Sequence, residues 1–214
     1  MKYQQFIIAT GGVGVGKSTL IRRLKRSLPK GESIFVKEYV DYKPVEAKKQ
    51  LEDTLKGNGS VYEFQLSIID CYRQQMEQAQ NKKYVIMERS PADSINIFAA
   101  ASYRNGKISE FEFEDLKARV EKLYDLYNIP RFDDCHFTRV DSCKYSIQGV
   151  FELVKGQVSI ALKRKQSCIF FLYCSDPLQQ KRNIETRGRP EEKDYDINYM
   201  ISVNDEYQIL FAKY

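Results

Sequence analysis

The run Gly11-Gly12-Val13-Gly14-Val15-Gly16-Lys17-Ser18 constrains this chain more than any other stretch. Closely spaced glycines let a backbone wrap tightly around a bound group, because no Cβ blocks the approach and positive φ is allowed. The flanks define its setting. Gln5 to Thr10 reads as a short buried strand, and residues 18–27 read as a basic amphipathic helix carrying Leu20, Ile21 and Leu24. A glycine turn between a strand and a helix is the bland reading. The spacing, however, fits G-x-x-x-x-G-K-[ST], in which backbone N–H groups and a helix N-terminus cradle a chain of phosphates. On that reading residues 11–18 are a phosphate-cradling P-loop, with Thr19 opening the helix. Lys17 would reach the β- and γ-phosphates, and Ser18 would place its hydroxyl on Mg²⁺.

At 214 residues, with 43% hydrophobic and 29% charged content, the chain is expected to form a single domain over residues 1–214. Its net charge is +5, and its basic residues form no block longer than the end of Ala161-Leu162-Lys163-Arg164-Lys165. Nucleic acid is therefore not an expected partner. No apolar run approaches a membrane span, and the first strand begins too near Met1 to leave room for a leader, so a cytoplasmic protein is expected. The cysteines, Cys71, Cys135, Cys143, Cys168 and Cys174, form no C-x-x-C pair and read as reduced thiols. Cys135, His136 and Cys143 fit no common zinc spacing.

Strand-like runs cover residues 4–10, 33–37, 84–87 and 168–174. Helix-period segments cover 18–27, 44–56, 61–80, 93–103, 110–126, 147–164, 177–186 and 196–211. Apolar strands alternating with helices predict an α/β fold of three layers, P-loop NTPase-like. Its central parallel sheet would have four to five strands, flanked by helices. Ligands in such sheets bind beyond the carboxyl ends of the strands. The residues found there are Glu38 after the second strand, and Glu88, Arg89 and Ser90 after the third. A carboxylate beside a P-loop can hold Mg²⁺ or take a proton from an attacking hydroxyl, and an arginine can steady the transferring phosphoryl group. The Arg-rich, Gly-punctuated stretch at about 182–194 reads as a lid over the triphosphate or, more blandly, as an exposed connection.

Three stretches in this order resemble the deoxynucleoside kinase family: GGVGVGKST at the P-loop, MERSPADSINIFA at 87–99 and TRGRPEEKDYDINYM at 186–200. The resemblance implies phosphorylation of a deoxynucleoside 5′-hydroxyl with ATP and Mg²⁺. It makes Glu38 the general base, Glu88 the acidic partner of Mg²⁺, and Arg89 the arginine near the 5′-oxygen and phosphates. It gives Gln65 the reading of the base edge and Phe98 a stacking position on the base. Arg187 and Arg189 become lid arginines, and Glu192 the carboxylate on the sugar 3′-hydroxyl. Taken singly, Gln65 could decorate a helix face, and Phe98 is by default a core residue. The family's homodimers imply a possible homodimer here.

The departures concern specificity. Tyr39 stands where the family usually has proline, and Lys43 where it has tryptophan, which leaves Tyr42 to supply an aromatic wall. Tyr62 is the nearest substitute for the tyrosine expected at the sugar. Ser94 occupies a position that is acidic in cytidine-preferring members, so its small side chain leans toward thymidine or a broad pyrimidine range. The fifth strand that the family has after the lid does not follow it in this sequence, which implies either a shortened chain or a more open donor site. Rival readings are a thymidylate-type monophosphate kinase and a non-catalytic nucleotide-binding module. A GTP switch lacks its N-K-x-D and D-x-x-G motifs.

Overall fold

The computed structural model describes residues 4–188, 197–212 and 214. Five strands, β1 (Gln5–Thr10), β2 (Ser33–Val36), β3 (Tyr84–Glu88), β4 (His136–Asp141) and β5 (Cys168–Tyr173), form one sheet in the order β2-β3-β1-β5-β4. Every pairing is parallel, with Ile7 opposite Ile86, Ala9 opposite Phe170 and Val140 opposite Leu172. The helices are α1 (Lys17–Leu24), α2 (Tyr39–Tyr42), α3 (Pro44–Leu55), α4 (Val61–Ala79), α5 (Pro91–Asp93), α6 (Ala100–Arg104), α7 (Glu110–Tyr127), α8 (Ile147–Lys163), α9 (Pro177–Arg187) and α10 (Ile197–Leu210).

Both sheet faces are buried, which explains the near-continuous apolar strands. Side chains still alternate. Phe6, Ile8, Met87, Ile169 and Phe171 face a core shared with α4, α7 and α10, where they meet Met76, Leu123, Val203 and Tyr207. Ile7, Ala9, Ile86, Phe170 and Leu172 face the opposite core, built on Leu20 and Leu24 of α1 and Val150, Val154 and Val158 of α8. The result is the predicted three-layer arrangement. Helix starts follow their capping residues: Ser60 accepts from Glu63 N–H at 3.2 Å before α4, and Ser146 accepts from Gly149 N–H at 3.1 Å before α8.

Three sequence expectations need correction. No strand was expected between residues 126 and 147, yet the edge strand β4 lies there and brings the sheet to the upper of the expected four to five strands. Cys143 and Cys174 are joined in a disulfide, so only Cys71, Cys135 and Cys168 carry free thiols. The helix expected over 93–103 is divided, with a π-turn over Ser94–Ala99 between α5 and α6, closed by the Ala100 N–H on the Ile95 carbonyl.

Candidate active site

The glycine run leaves β1, turns over the end of β5 and enters α1. Gly11 has φ +136°, and an added Cβ would fall on the Leu172 carbonyl oxygen, so only glycine allows this approach to the neighbouring strand. Lys17 is buried beneath the loop and donates from Nζ to the Gly12 carbonyl at 2.6 Å. Burial, then the nearby Arg89 charge, pull its ammonium down to about 8 against the opposing Glu38 and Glu88 carboxylates. An ammonium stripped of water beside backbone N–H groups is a strong partner for a phosphate.

Ser18, at the start of α1, donates its hydroxyl to Glu88 Oε1 at 2.6 Å. Glu88 closes β3 and is buried; loss of solvent, then the Glu38 charge, push its carboxyl up to about 7. The next residue, Arg89, takes the left-handed conformation with φ +61° while its N–H donates to the Ala9 carbonyl at 2.9 Å. Such a backbone is unfavourable for a residue with a side chain. It turns the guanidinium back over the loop, where it pairs with Glu38 and reaches the Gly11 carbonyl at 3.4 Å. Burial opposes the Arg89 charge; Glu38, joined by Tyr207, Asp93 and Glu88, outweighs it and holds the guanidinium well above its ordinary range. Carboxylate oxygens of Glu38, Asp41 and Glu88 lie within 4.8 Å of one another. With the Ser18 hydroxyl this is an all-oxygen donor set, the chemistry that suits Mg²⁺.

Two cavities meet at Lys17. One, of about 280 Å³, extends away from Glu38 and Arg89 between α2, α3, α4 and the π-turn. Gln65, Ser94 and Phe98 line it. Gln65 is 4% exposed, and its Oε1 has no hydrogen-bond partner among the described residues, an arrangement that calls for a donor from a ligand. The Arg89 guanidinium carbon lies 4.9 Å from the Phe98 ring centroid, which ties the ring to the charged end of the cavity. The second cavity, of about 660 Å³, runs over Gly14, Val15, Gly16, Lys17, Ser18 and Thr19 and is walled by Cys143, Tyr145 and Asn183. Val13 borders the first cavity, and Arg187 lines both.

Two predicted contacts are not brought to this site. Tyr62 faces α7, where its hydroxyl donates to Asp115 Oδ2 at 2.7 Å. Tyr42 packs against Tyr39 and Cys71 and accepts from Gln78 at 3.3 Å; Tyr39 and Val40 line the cavity in its place. Arg189 and Glu192 lie outside the described residues. The sequence reading missed Tyr199 of α10, which lines the first cavity, and Asp93, a buried carboxylate in its wall. Asp93 accepts from Ser90 N–H and Oγ at 2.6 and 2.8 Å, from Tyr207 at 2.8 Å and from Thr10. The S-x-x-D spacing of Ser90 and Asp93 is a capping-box signal that could have found it.

No curated protein matches the chain in sequence. Among solved structures, it is similar to deoxyadenosine kinase from M. mycoides with bound dATP, at TM-score 0.62 and 18% identity over 98% of this chain and 85% of that one. It is also similar to the same enzyme with the products dCMP and a flexible dCDP bound, at TM-score 0.63 and 20% identity over 98% and 84% of the two chains. These likenesses concern the fold. The sequence model of the deoxynucleoside kinase family matches residues 7–143, a stretch holding both the glycine loop and the strand-end charges. A match over more than half of the chain decides the matter: this chain belongs to the deoxynucleoside kinase family and is a kinase.

Proposed function

We propose that the protein transfers the γ-phosphoryl group of Mg²⁺–ATP to the 5′-hydroxyl of a deoxynucleoside, thymidine or a broad pyrimidine range. The observation that carries this reading is the position of the Glu38–Arg89 pair at the junction of the two cavities, beside Lys17. A hydroxyl arriving from the smaller cavity meets Glu38, which accepts its proton as the oxygen attacks. Arg89 and Lys17 stabilise the charge on the transferring group. Ser18 and Glu88 would hold Mg²⁺, which neutralises charge across the β- and γ-phosphates when bound.

In the smaller cavity the Gln65 amide presents one donor and one acceptor to a base edge, and Phe98 offers a face to the ring. Ser94, small and buried in the wall, leaves room for a 5-methyl group and places no carboxylate there to favour cytosine. Arg187, Arg189 and Glu192 retain the lid and sugar roles that the family resemblance implies.

A coupled phosphotransfer assay with Mg²⁺–ATP against thymidine, deoxycytidine, deoxyadenosine, deoxyguanosine and thymidine monophosphate tests the reading. Turnover of thymidine above the purines supports it. Preference for deoxyadenosine overturns the pyrimidine assignment, and turnover of the monophosphate alone makes the protein a nucleotide kinase.

A further inference from the structure

The glycine loop is gripped from outside by the two helices that flank residues 189–196. On α9, Gln180, Asn183, Ile184 and Arg187 fall at i, i+3, i+4 and i+7, a single helix face, and that face lies on the loop. Gln180 Nε2 donates to the Val13 carbonyl at 2.5 Å, and Asn183 Nδ2 donates to the Gly14 carbonyl at 3.1 Å. From α10, Asn204 Nδ2 donates to Gln180 Oε1 at 2.7 Å, while Gln180 Nε2 lies 3.4 Å from Asn204 Oδ1. The reciprocal amide pair fixes which end of Gln180 faces the loop, and Gln180 itself is 1% exposed.

Peptide geometry converts this grip into chemistry. In a trans peptide the carbonyl and the following N–H point in opposite directions, and the chain contains no cis bond among the described residues. Holding the Val13 carbonyl toward α9 turns the Gly14 N–H the other way, and holding the Gly14 carbonyl does the same for the Val15 N–H. Neither N–H donates to another backbone group among the described residues. The packing is tight enough to dictate sequence. A Cβ on Gly12 would lie 2.5 Å from Asn204 Oδ1, and one on Gly14 would lie 2.8 Å from Ile184 Cγ1. A side chain at Gly12 would displace the Gln180–Asn204 amide pair, and Gly14, with φ +77°, would also meet the Gln180 carbonyl at 3.0 Å.

We propose that Gln180, Asn183 and Asn204 are positioning residues that aim the Gly14 and Val15 N–H groups at the donor's phosphates. They make α9, α10 and the cradle one unit. Asn204, which donates nothing to the loop, acts through Gln180. The inference rests on the reading of this loop as the donor site.

The test is calorimetric binding of inorganic tripolyphosphate, which probes the cradle without a base or an acceptor. It compares the wild-type protein with Gln180→Met, Asn204→Asp and Asn183→Ala, with thymidine binding and thermal unfolding measured on each. Gln180→Met keeps the volume and removes the amide. Asn204→Asp removes the donor that fixes the Gln180 oxygen. We expect both to weaken tripolyphosphate binding by about tenfold, and the exposed Asn183→Ala by about threefold, with thymidine affinity unchanged. Wild-type binding matched by all three variants overturns the positioning role and leaves the donor reading standing. Equal losses for thymidine and tripolyphosphate also overturn it, since they mark a general structural defect. A wild-type protein that binds no tripolyphosphate removes the donor reading and this inference together. Because Asn183 is exposed, its variant decides the question even if Gln180→Met does not fold.

Discussion

On one side of Lys17 the cavity is walled by side chains: the Gln65 amide, the Phe98 ring, the Ser94 hydroxyl and the Glu38–Arg89 pair. On the other side the working surface is backbone, the loop from Gly14 to Ser18, held in shape by amides that stand behind it. The smaller cavity draws mainly on the segments that follow β2 and β3, the larger on the loop and helix that follow β1 and on the segments that follow β4 and β5. Side-chain recognition distinguishes one acceptor from another. Backbone recognition is indifferent to residue type and suits the phosphate chain that every nucleoside triphosphate shares. On the proposed reading, selectivity for the acceptor and tolerance toward the donor are built from different materials around one sheet.

Substitutions at the junction should break this division most. Glu38→Gln is expected to cut turnover about a hundredfold or more while leaving thymidine affinity nearly intact, read by steady-state kinetics alongside equilibrium binding. Unchanged turnover would remove Glu38 from the chemistry. Next in size is an effect on stability. A buried carboxyl raised from 4.5 to about 7 contributes stability that is present below its unfolded range and lost as pH rises through 7. In metal-free protein, Glu88→Gln should therefore match wild type in acid and become the more stable form as pH rises. The difference amounts to a few kcal/mol at most, at about 1.4 kcal/mol per pH unit. Parallel melting curves for the two proteins across the pH range would show that Glu88 is not held neutral by its surroundings.

On the acceptor side alone, Gln65→Leu should raise KM for the nucleoside about tenfold and leave KM for ATP unchanged. Equal effects on both constants would dissolve the distinction between the cavities. The smallest effect belongs to the donor side. Gly16 has open space around it but φ +97°, so Gly16→Ala meets no clash and costs about 1 kcal/mol in backbone strain, measurable by chemical denaturation. A larger loss would mean that a contact, rather than conformation, requires glycine there.

The same contrast explains what the sequence made legible. The cradle, Glu38, Glu88, Arg89, Gln65 and Phe98 stood out as candidates because their residue types follow strand ends or match the family's motifs, and the structure gathers them around Lys17. Strands β1, β3 and β5 were visible as apolar runs because both of their neighbours and both of their faces are buried. Strand β4 was not, since His136-Phe137-Thr138-Arg139-Val140-Asp141 mixes charged, polar and apolar residues, whereas β2, the other edge strand, carries the apolar run Ile34-Phe35-Val36. Tyr62 and Tyr42 lie elsewhere because chain distance from Gln65 or Glu38 does not reveal that α7 engages the first and α4 the second. Gln180 and Asn204 left no trace in sequence: an amide on a helix becomes informative only when packing brings a backbone carbonyl to it. The Cys143–Cys174 bond was hidden for the same reason, its two halves being 31 residues apart on adjacent strand ends.

The order of strands in the sheet has a consequence for how the chain acquires its shape. Among the described residues strand β5 is the last made and takes the place between β1 and β4, so there it is the only neighbour of β4 and the second neighbour of β1. Until Cys168–Tyr173 leaves the ribosome, β1 presents an apolar open edge and β4 has nothing to pair with. The stretch that matches the family, ending at residue 143, is therefore not a smaller version of the protein, because it lacks the strand that joins its parts. Assembly must wait for a long-range insertion, a route that leaves the nascent chain dependent on protection from aggregation until β5 has been made.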